Sequence, residues 1–588
     1  MKLRENHCYQ RRNRYVVCRV LFKEEEKSGE VATSEVEQND MTVIAVLPFE
    51  TQTMSDQPTT DALRKELEAL CKSALLSVDC LRERIERHGC VVNNNIHVEN
   101  YDFFLLACRN ERLTEGILRY LLEHFPDAAS YTTCRRGSTP LHYMCFNKNV
   151  SRGMVQLLID AYPESIDRGD IDGVTPLHML CLNKLEDSFA VDILGLLLER
   201  CPEAAQRAQG DGGSLPIHVA CGLGKSPEFC RMLIEAHPGS ERIANSKGTL
   251  PLHIACGLGA AATAEYLYKL YPESINAADT DGRYPIHYAM TNLSGNPAIA
   301  FEMMQFLLYC DPSVALQKWN GNFPLVASFY IACNNRNNAS IFNAAVKILH
   351  LLYDAHPEVI EDDEITKTVG RQDLLLPREV LTFINTQLTY ARQARDSTFM
   401  STRDENGQLP LHRALQRDDD GEYNITLGSI KLLVKGNRDA LRIPDNDGAL
   451  PVHEAIQNHD YSHYSTKVVD YLAGLDPNTL TYGGWKGNTA LHYACLKADY
   501  DIIAFLLEKY GALSVSKRNV DNKLPIHLLL ENDLTESMDE IEYMESAFLL
   551  LRAYPETVMM SEDDEQQSLS ERGCLSRIGG KKRKFCAN

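Results

Sequence analysis

The sequence predicts an all-α protein, an α-solenoid of stacked helix-turn-helix repeats with β-turn or hairpin tips. A string close to Gly-x-[Thr/Leu]-Pro-[Leu/Ile]-His recurs nine times. Its proline position advances by 36, 40, 35 and 34 residues in a first block and by 41, 39 and 35 in a second, a spacing typical of solenoid repeats. The string places nine of the 18 histidines in one repeat position: His142, His178, His218, His253, His287, His412, His453, His492 and His527.

Each copy of the string predicts the same succession of elements. A polar turn such as Asp445–Gly448 comes first, where glycine permits the positive φ of a tight reversal. Thr-Pro then predicts a helix start, because the hydroxyl caps the first turn and proline has no N–H to leave unpaired. Leu in place of Thr is expected to lose that cap. A second amphipathic helix follows and ends at a recurring stop such as Tyr271–Glu273.

On these residues the sequence resembles the ankyrin-repeat family, whose Thr-Pro-Leu-His-x-Ala signature the string matches. The resemblance covers about residues 100 to 557. It implies a surface that binds proteins, with no cofactor and no catalytic group. The copies depart from the family pattern in two ways. The repeats are longer than the family's usual length of about 33 residues, and Phe323–Val326 lacks the histidine.

The pattern predicts six segments along the chain. We expect a mostly disordered segment over 1–58, an amphipathic capping helix or short coiled coil over 59–90, and a first repeat block over 100–345. A degenerate repeat with an acidic loop around Glu361–Glu364 follows over 346–400. The second block covers 401–557, and a disordered tail with a basic cluster covers 558–588. The degenerate repeat is predicted from one apolar helical stripe: Val380, Leu381, Ile384, Leu388 and Ala391.

Composition narrows the class of protein. The chain has 588 residues, of which 44% are hydrophobic and 24% charged, as expected of a folded protein. Its net charge of −21 argues against unaided binding to nucleic acid. The basic start Met1–Arg14 does not resemble a secretory leader, and no stretch approaches the roughly 20 apolar residues that span a bilayer. We therefore expect a cytoplasmic protein without membrane insertion and with free cysteines.

A repeated His-x-x-Cys pattern, as in His142 and Cys145, resembles a set of metal ligands. Neighbouring helices pack about 8–10 Å apart, whereas ligands converge at roughly 2.0–2.3 Å from one zinc ion. We therefore predict core packing for the cysteines and no metal site. The family resemblance implies that the histidines bond across turns. We find no phosphate-binding loop, nucleophile elbow or zinc-protease motif, and we expect no small-molecule substrate.

The candidate partner-binding residues lie at the repeat turns. The chain has two tryptophans, and each stands two residues before the glycine of a turn. The resemblance implies that turn tips project into the concave groove, where exposed aromatic residues contribute most to binding. The alternative is that each indole packs on the next turn. The candidates are Arg135, Arg136, Ile171, Lys247, Trp319 and Trp485.

Taken together, these features predict a non-catalytic scaffold for protein–protein interaction. The alternative is a targeting or regulatory subunit of an enzyme complex, with a kinase, ubiquitin ligase or protease supplied by another chain. Acidic runs at Asp418–Asp420 and Glu562–Glu565 favour basic partners. The run Lys581-Lys582-Arg583-Lys584 is either a nuclear import signal or a solvated tail charge.

Overall fold

The computed structural model describes residues 58–88, 100–361, 367, 377–416, 426–458, 463–497, 499–511, 513–531 and 540–555. Within these ranges the chain consists of helices and turns, with an isolated antiparallel bridge between Gln209 and Ser214. The predicted all-α helix-turn-helix repeat architecture is confirmed. Outside the described residues lie all but the last residue of the predicted segment 1–58, all of the predicted tail 558–588, the two acidic runs, the basic run and most of the acidic loop.

The chain divides into two compact units, Met1–Gly321 and Asn322–Asn588. The domain boundaries predicted from the sequence stay predictions. In the first unit, helices come in antiparallel pairs, and each member of a pair packs on its counterpart in the next pair. The helices are α1 (Pro58–Lys72), α2 (Val78–Arg87), α3 (Asp102–Arg109), α4 (Glu115–His124), α5 (Pro140–Phe146), α6 (Arg152–Ala161), α7 (Pro176–Leu182), α8 (Asp187–Arg200), α9 (Pro216–Gly222), α10 (Pro227–Ala236), α11 (Pro251–Leu258), α12 (Ala261–Leu270), α13 (Pro285–Thr291) and α14 (Pro297–Cys310).

The segment predicted as a single capping helix or coiled coil differs from that prediction. It forms the two helices α1 and α2, which together make the first pair of the stack. Ser73 bonds back to the carbonyl of Leu70 at 2.8 Å, and Ser77 caps α2 by accepting the N–H of Cys80 at 3.2 Å. Serine side chains that bond to nearby backbone compete with a continuous helix, so the chain turns here.

The second unit is also built from packed helices. One buried cluster of this unit runs from Met400 to Leu550 and is formed by the inward faces of successive helices. The helices are α15 (Pro324–Asn334), α16 (Ala339–Ala355), α17 (Arg378–Arg395), α18 (Ser397–Ser401), α19 (Pro410–Ala414), α20 (Leu427–Gly436), α21 (Pro451–Gln457), α22 (His463–Leu475), α23 (Ala490–Lys497), α24 (Tyr500–Tyr510), α25 (Pro525–Glu531) and α26 (Glu540–Ala553).

The predicted degenerate repeat contains one long helix, α17, followed by the short α18. Four members of the predicted stripe are buried, namely Val380, Ile384, Leu388 and Ala391. Gln387 is buried beside them, and its side-chain oxygen accepts a hydrogen bond from Ser429 in α20. The Tyr353 hydroxyl in α16 lies 3.2 Å from the Ser429 hydroxyl, so a buried polar contact joins α16, α17 and α20. In the described ranges, the structure contains no helix with the length and apolarity to cross a membrane.

Candidate partner-binding surface

In five repeat turns, one Asp or Asn side chain holds the turn. Oδ1 of Asp170 accepts the backbone N–H groups of Asp172 at 3.0 Å and Val174 at 2.9 Å. Gly173 closes this turn with φ = 71°, a conformation that glycine adopts without strain. The same two-bond arrangement recurs at Asn245, Asp279, Asp404 and Asp445. The turns therefore form rigid tips that present their exposed side chains in fixed positions.

Backbone hydrogen bonds join neighbouring tips into a row in each unit. In the first unit, Ile171 N–H donates to the carbonyl of Arg136 at 2.8 Å, and Thr280 N–H donates to that of Lys247 at 3.0 Å. In the second unit, Val520 N–H donates to the carbonyl of Lys486 at 2.8 Å. Because these bonds use only the backbone, the tip side chains remain available to a partner.

In five copies, the repeated histidine bridges a helix start and the next repeat. Nδ1 of His142 accepts the N–H of Thr139 at 3.1 Å, so the ring proton lies on Nε2, which faces the carbonyl of Val174 at 2.9 Å. Burial lowers the pKa of His142 to about 4, and the ring is neutral at pH 7. Equivalent carbonyl contacts of 3.0 to 3.2 Å are made by His178, His218, His253 and His492.

A helix start with leucine in place of threonine lacks the hydroxyl cap, but it keeps the hydrogen bond from its first backbone N–H to the repeated histidine. The N–H of Leu215 donates to Nδ1 of His218 at 3.1 Å, and that of Leu450 donates to Nδ1 of His453 at 3.1 Å. The histidine thus satisfies the first backbone donor whichever residue precedes the proline. Threonine adds only its hydroxyl, which in Thr175 accepts a further N–H at 3.4 Å.

A row of asparagines in the first unit forms hydrogen bonds between neighbouring helix pairs, here called the asparagine ladder. These asparagines are not part of the repeated string. Asn147 ends α5, and its side-chain amide donates to the carbonyls of Cys108 at 2.8 Å and Asn110 at 3.0 Å, at the end of α3. Asn110 and Asn183 make the same pair of bonds to their own preceding pairs. Each asparagine therefore satisfies helix-end carbonyls of the neighbouring pair.

The cysteines of the His-x-x-Cys pattern lie in the core. Cys145, Cys181, Cys221, Cys256 and Cys495 are fully buried and are free thiols. Burial raises the pKa of the Cys145 thiol well above its ordinary value, so the group is an inert apolar side chain. In the part of the chain that the structure describes, no three His, Cys, Asp or Glu residues come together as a metal site.

Four candidate binding residues lie on the tip row of the first unit. Arg135, Ile171 and Lys247 are exposed there, and Arg136 is half-buried. Ile171 exposes 72% of its surface, which is unusual for a large apolar side chain on a rigid turn. Their role in binding stays a prediction.

The two tryptophans have different surroundings. Trp319 is half-buried, with the guanidinium of Arg283 5.3 Å from its ring centroid and the His287 ring at 6.0 Å. Trp319 thus contacts the preceding repeat, and the binding role of both tryptophans stays a prediction. Trp485 exposes 49% of its surface, and its backbone N–H donates to the hydroxyl of Tyr493 at 3.0 Å.

The repeat unit combines a turn tip, a pair of helices and, in five copies, a bridging histidine. This combination can be compared with known families. The sequence profile of the family described as Ankyrin repeats (3 copies) matches residues 217–318 and 424–523. Within these two segments the chain is similar to ankyrin repeats. A search of curated proteins finds no match to this sequence. Ankyrin repeats are generally protein–protein interaction modules, and the family is typically non-catalytic.

Proposed function

We propose that the chain is a non-catalytic ankyrin-repeat scaffold that binds another protein through its turn tips and first helices, the surface that corresponds to the family's concave face. The observation that carries this proposal is the exposure of large apolar side chains on backbone-locked tips: Ile171 at 72%, Trp485 at 49% and Val520 at 77%. Rigid apolar groups bind at little entropic cost, so such positions suit anchors for a partner.

A pull-down of the tagged full chain from its native cell, with mass spectrometry, tests the proposal. The triple variant Ile171→Ser, Trp485→Ser, Val520→Ser should lose at least tenfold of the captured partner. A matched triple variant, Phe189→Ser, Tyr309→Ser, Phe548→Ser, removes equally exposed apolar groups from second helices and should retain capture. Equal capture by both variants would place binding elsewhere on the chain.

The partner and its location are part of the same proposal. The net charge of −21 supports a basic protein partner rather than nucleic acid. We propose a cytoplasmic protein in which Lys581-Lys582-Arg583-Lys584 serves as a nuclear import signal. A fluorescent fusion with these four residues changed to serine should leave the nucleus relative to the intact fusion. An unchanged distribution would make the run an ordinary tail charge.

A further inference from the structure

The chain contains two copies of one aromatic tip, and only the first copy is complete. In the first unit, Trp319 follows a turn in which Asp281 pairs with Arg283, and the Arg283 guanidinium lies over the indole. The Arg283 side chain is only 18% exposed, so this cation is built into the fold. Asp281, Arg283 and Trp319 together form an acid–cation–aromatic triad.

The equivalent positions in the second unit follow from the repeat register. Counting back from Pro285 and Pro451, Asp281 corresponds to Asp447 and Arg283 corresponds to Ala449. Counting forward to the next turn, Trp319 corresponds to Trp485. The acid and the aromatic residue are therefore present in the second unit, but alanine stands where the cation would be.

Carboxylates lie around this second tip, and the nearby arginines are engaged, since Arg413 pairs with Asp404 and Arg403 donates to backbone carbonyls. Glu405 and Asp447 are exposed on the same tip row, and the structure gives neither an ion pair among the described residues. Glu454 stands where Tyr288 stands in the first unit and is a third carboxyl group, buried and bonded to the side-chain amide of Asn458 at 3.2 Å. Burial raises the pKa of Glu454, with the carboxylates of Asp445 and Asp447 adding to the effect. A cation from outside would relieve this concentration of negative charge.

We propose that the tip around Trp485 and Asp447 binds an arginine side chain of a basic protein partner, in the place that Arg283 takes in the first unit. This inference rests on the proposed scaffold function and names the chemistry of its partner. Arginine fits better than lysine because its planar guanidinium both stacks on an indole and pairs with a carboxylate.

Trp485 already shows that its ring accepts a cation. The ammonium of Lys486 lies 4.6 Å from the indole centroid and 3.7 Å from a carboxylate oxygen of Asp521. Both side chains of this pair are about half exposed, so the contact is weak and easily displaced. Lys486 should therefore compete with the incoming guanidinium, and Lys486→Ala should raise its affinity two- to fivefold.

The test uses Trp485 fluorescence in the full chain carrying Trp319→Phe, since the chain has two tryptophans. The probes are a short glycine–serine peptide with one central arginine and the same peptide with citrulline, its neutral isostere. The arginine peptide should bind about tenfold more tightly than the citrulline peptide. Asp447→Asn should weaken arginine binding about fivefold, whereas Asp172→Asn, the same change on a tip of the first unit, should have no effect.

A decisive variant, Ala449→Arg, would place an arginine of the chain itself in the proposed site. Ala449→Arg restores the missing member of the triad and should block the arginine peptide while leaving the melting temperature equal or higher. Equal binding of the arginine and citrulline peptides, or an Ala449→Arg protein that binds as the parent does, would overturn the inference. If Ala449→Arg does not fold, the citrulline and Asp447→Asn comparisons decide. Partner capture that depends on the tip triple variant but not on Ala449→Arg or Asp447→Asn would refute this inference and leave the scaffold function standing.

Discussion

The side-chain amide of Asn147 donates a hydrogen bond to the carbonyl of Cys108 across 2.8 Å and so ties two neighbouring repeats together. Asn147 is buried, and Asn149, two residues later, is exposed. Asn147→Ala should lower the free energy of unfolding by about 1–3 kcal/mol, because it leaves buried carbonyls without a donor. Asn149→Ala should cost less than about 0.5 kcal/mol. Denaturant titration of both variants checks this, and equal losses would contradict it.

This ladder marks a limit of sequence reasoning. The repeated string predicts where α5, α7 and α9 begin, because proline and the residue before it act locally. The asparagine bonds depend on backbone carbonyls some 36 to 39 residues away, which any residue type supplies. The recurrence of Asn110, Asn147 and Asn183 is visible in the sequence, but nothing there marks these carbonyls as their acceptors.

The two tryptophans show the same limit at the binding surface. Their shared position before a turn glycine is visible in the sequence. The indole of Trp319 lies under Arg283 of the preceding repeat, whereas the equivalent residue for Trp485 is Ala449. This difference becomes visible only when the packing between repeats is known. The prediction of exposed anchors therefore fits Trp485 better than Trp319.

The bridging histidines should make the protein sensitive to acid. Burial lowers the pKa of His142, His178, His218 and His253 to about 4 each, from an ordinary value of about 6.5. A depressed folded pKa gives stability that is complete above pH 6.5 and is lost as the pH falls toward 4. Each residue contributes up to about 3 kcal/mol, so the melting temperature should fall steeply between pH 6.5 and 4.5.

One histidine variant isolates this effect. His178→Asn keeps a side-chain acceptor for the helix start but cannot take up a proton. It should be less stable than the native protein at pH 7.5, and its melting temperature should change less with pH. Thermal unfolding followed by circular dichroism at several pH values measures both quantities. A variant with the native pH slope would show that His178 does not titrate on unfolding.

Glu241 occupies a position that is apolar in neighbouring repeats. It is 8% exposed, and it aligns with Ile275 and Ile166 after the Pro-containing stop. One of its carboxylate oxygens accepts from Arg242 at 3.1 Å, while Oε2 has no hydrogen-bond partner among the described residues. Replacing a poorly satisfied buried charge by an apolar group of similar volume is often stabilising. Glu241→Ile should add about 1–2 kcal/mol to the free energy of unfolding. Glu273→Ile, at an exposed position of the next stop, is the control and should add nothing.

Asp354 should respond to pH in the opposite direction to the histidines. Its Oδ1 accepts the N–H of Gly428 at 2.8 Å at the start of α20, and Lys431 donates to its backbone carbonyl. Although the residue is half-buried overall, desolvation of the carboxyl group raises its pKa to about 6. The folded state therefore holds this proton more tightly than the unfolded state, whose pKa is about 3.9.

The stabilisation from Asp354 should thus be greatest below pH 4 and should decline as the pH rises to 6. Measured against Asp354→Asn, which cannot titrate, the native protein should lose up to about 3 kcal/mol of relative stability over that interval. Taking the difference between the two proteins cancels the histidine contribution, because both carry the same histidines. A native-minus-variant difference that stays flat or rises between pH 4 and 6 would mean that the carboxyl of Asp354 is solvated in the folded protein.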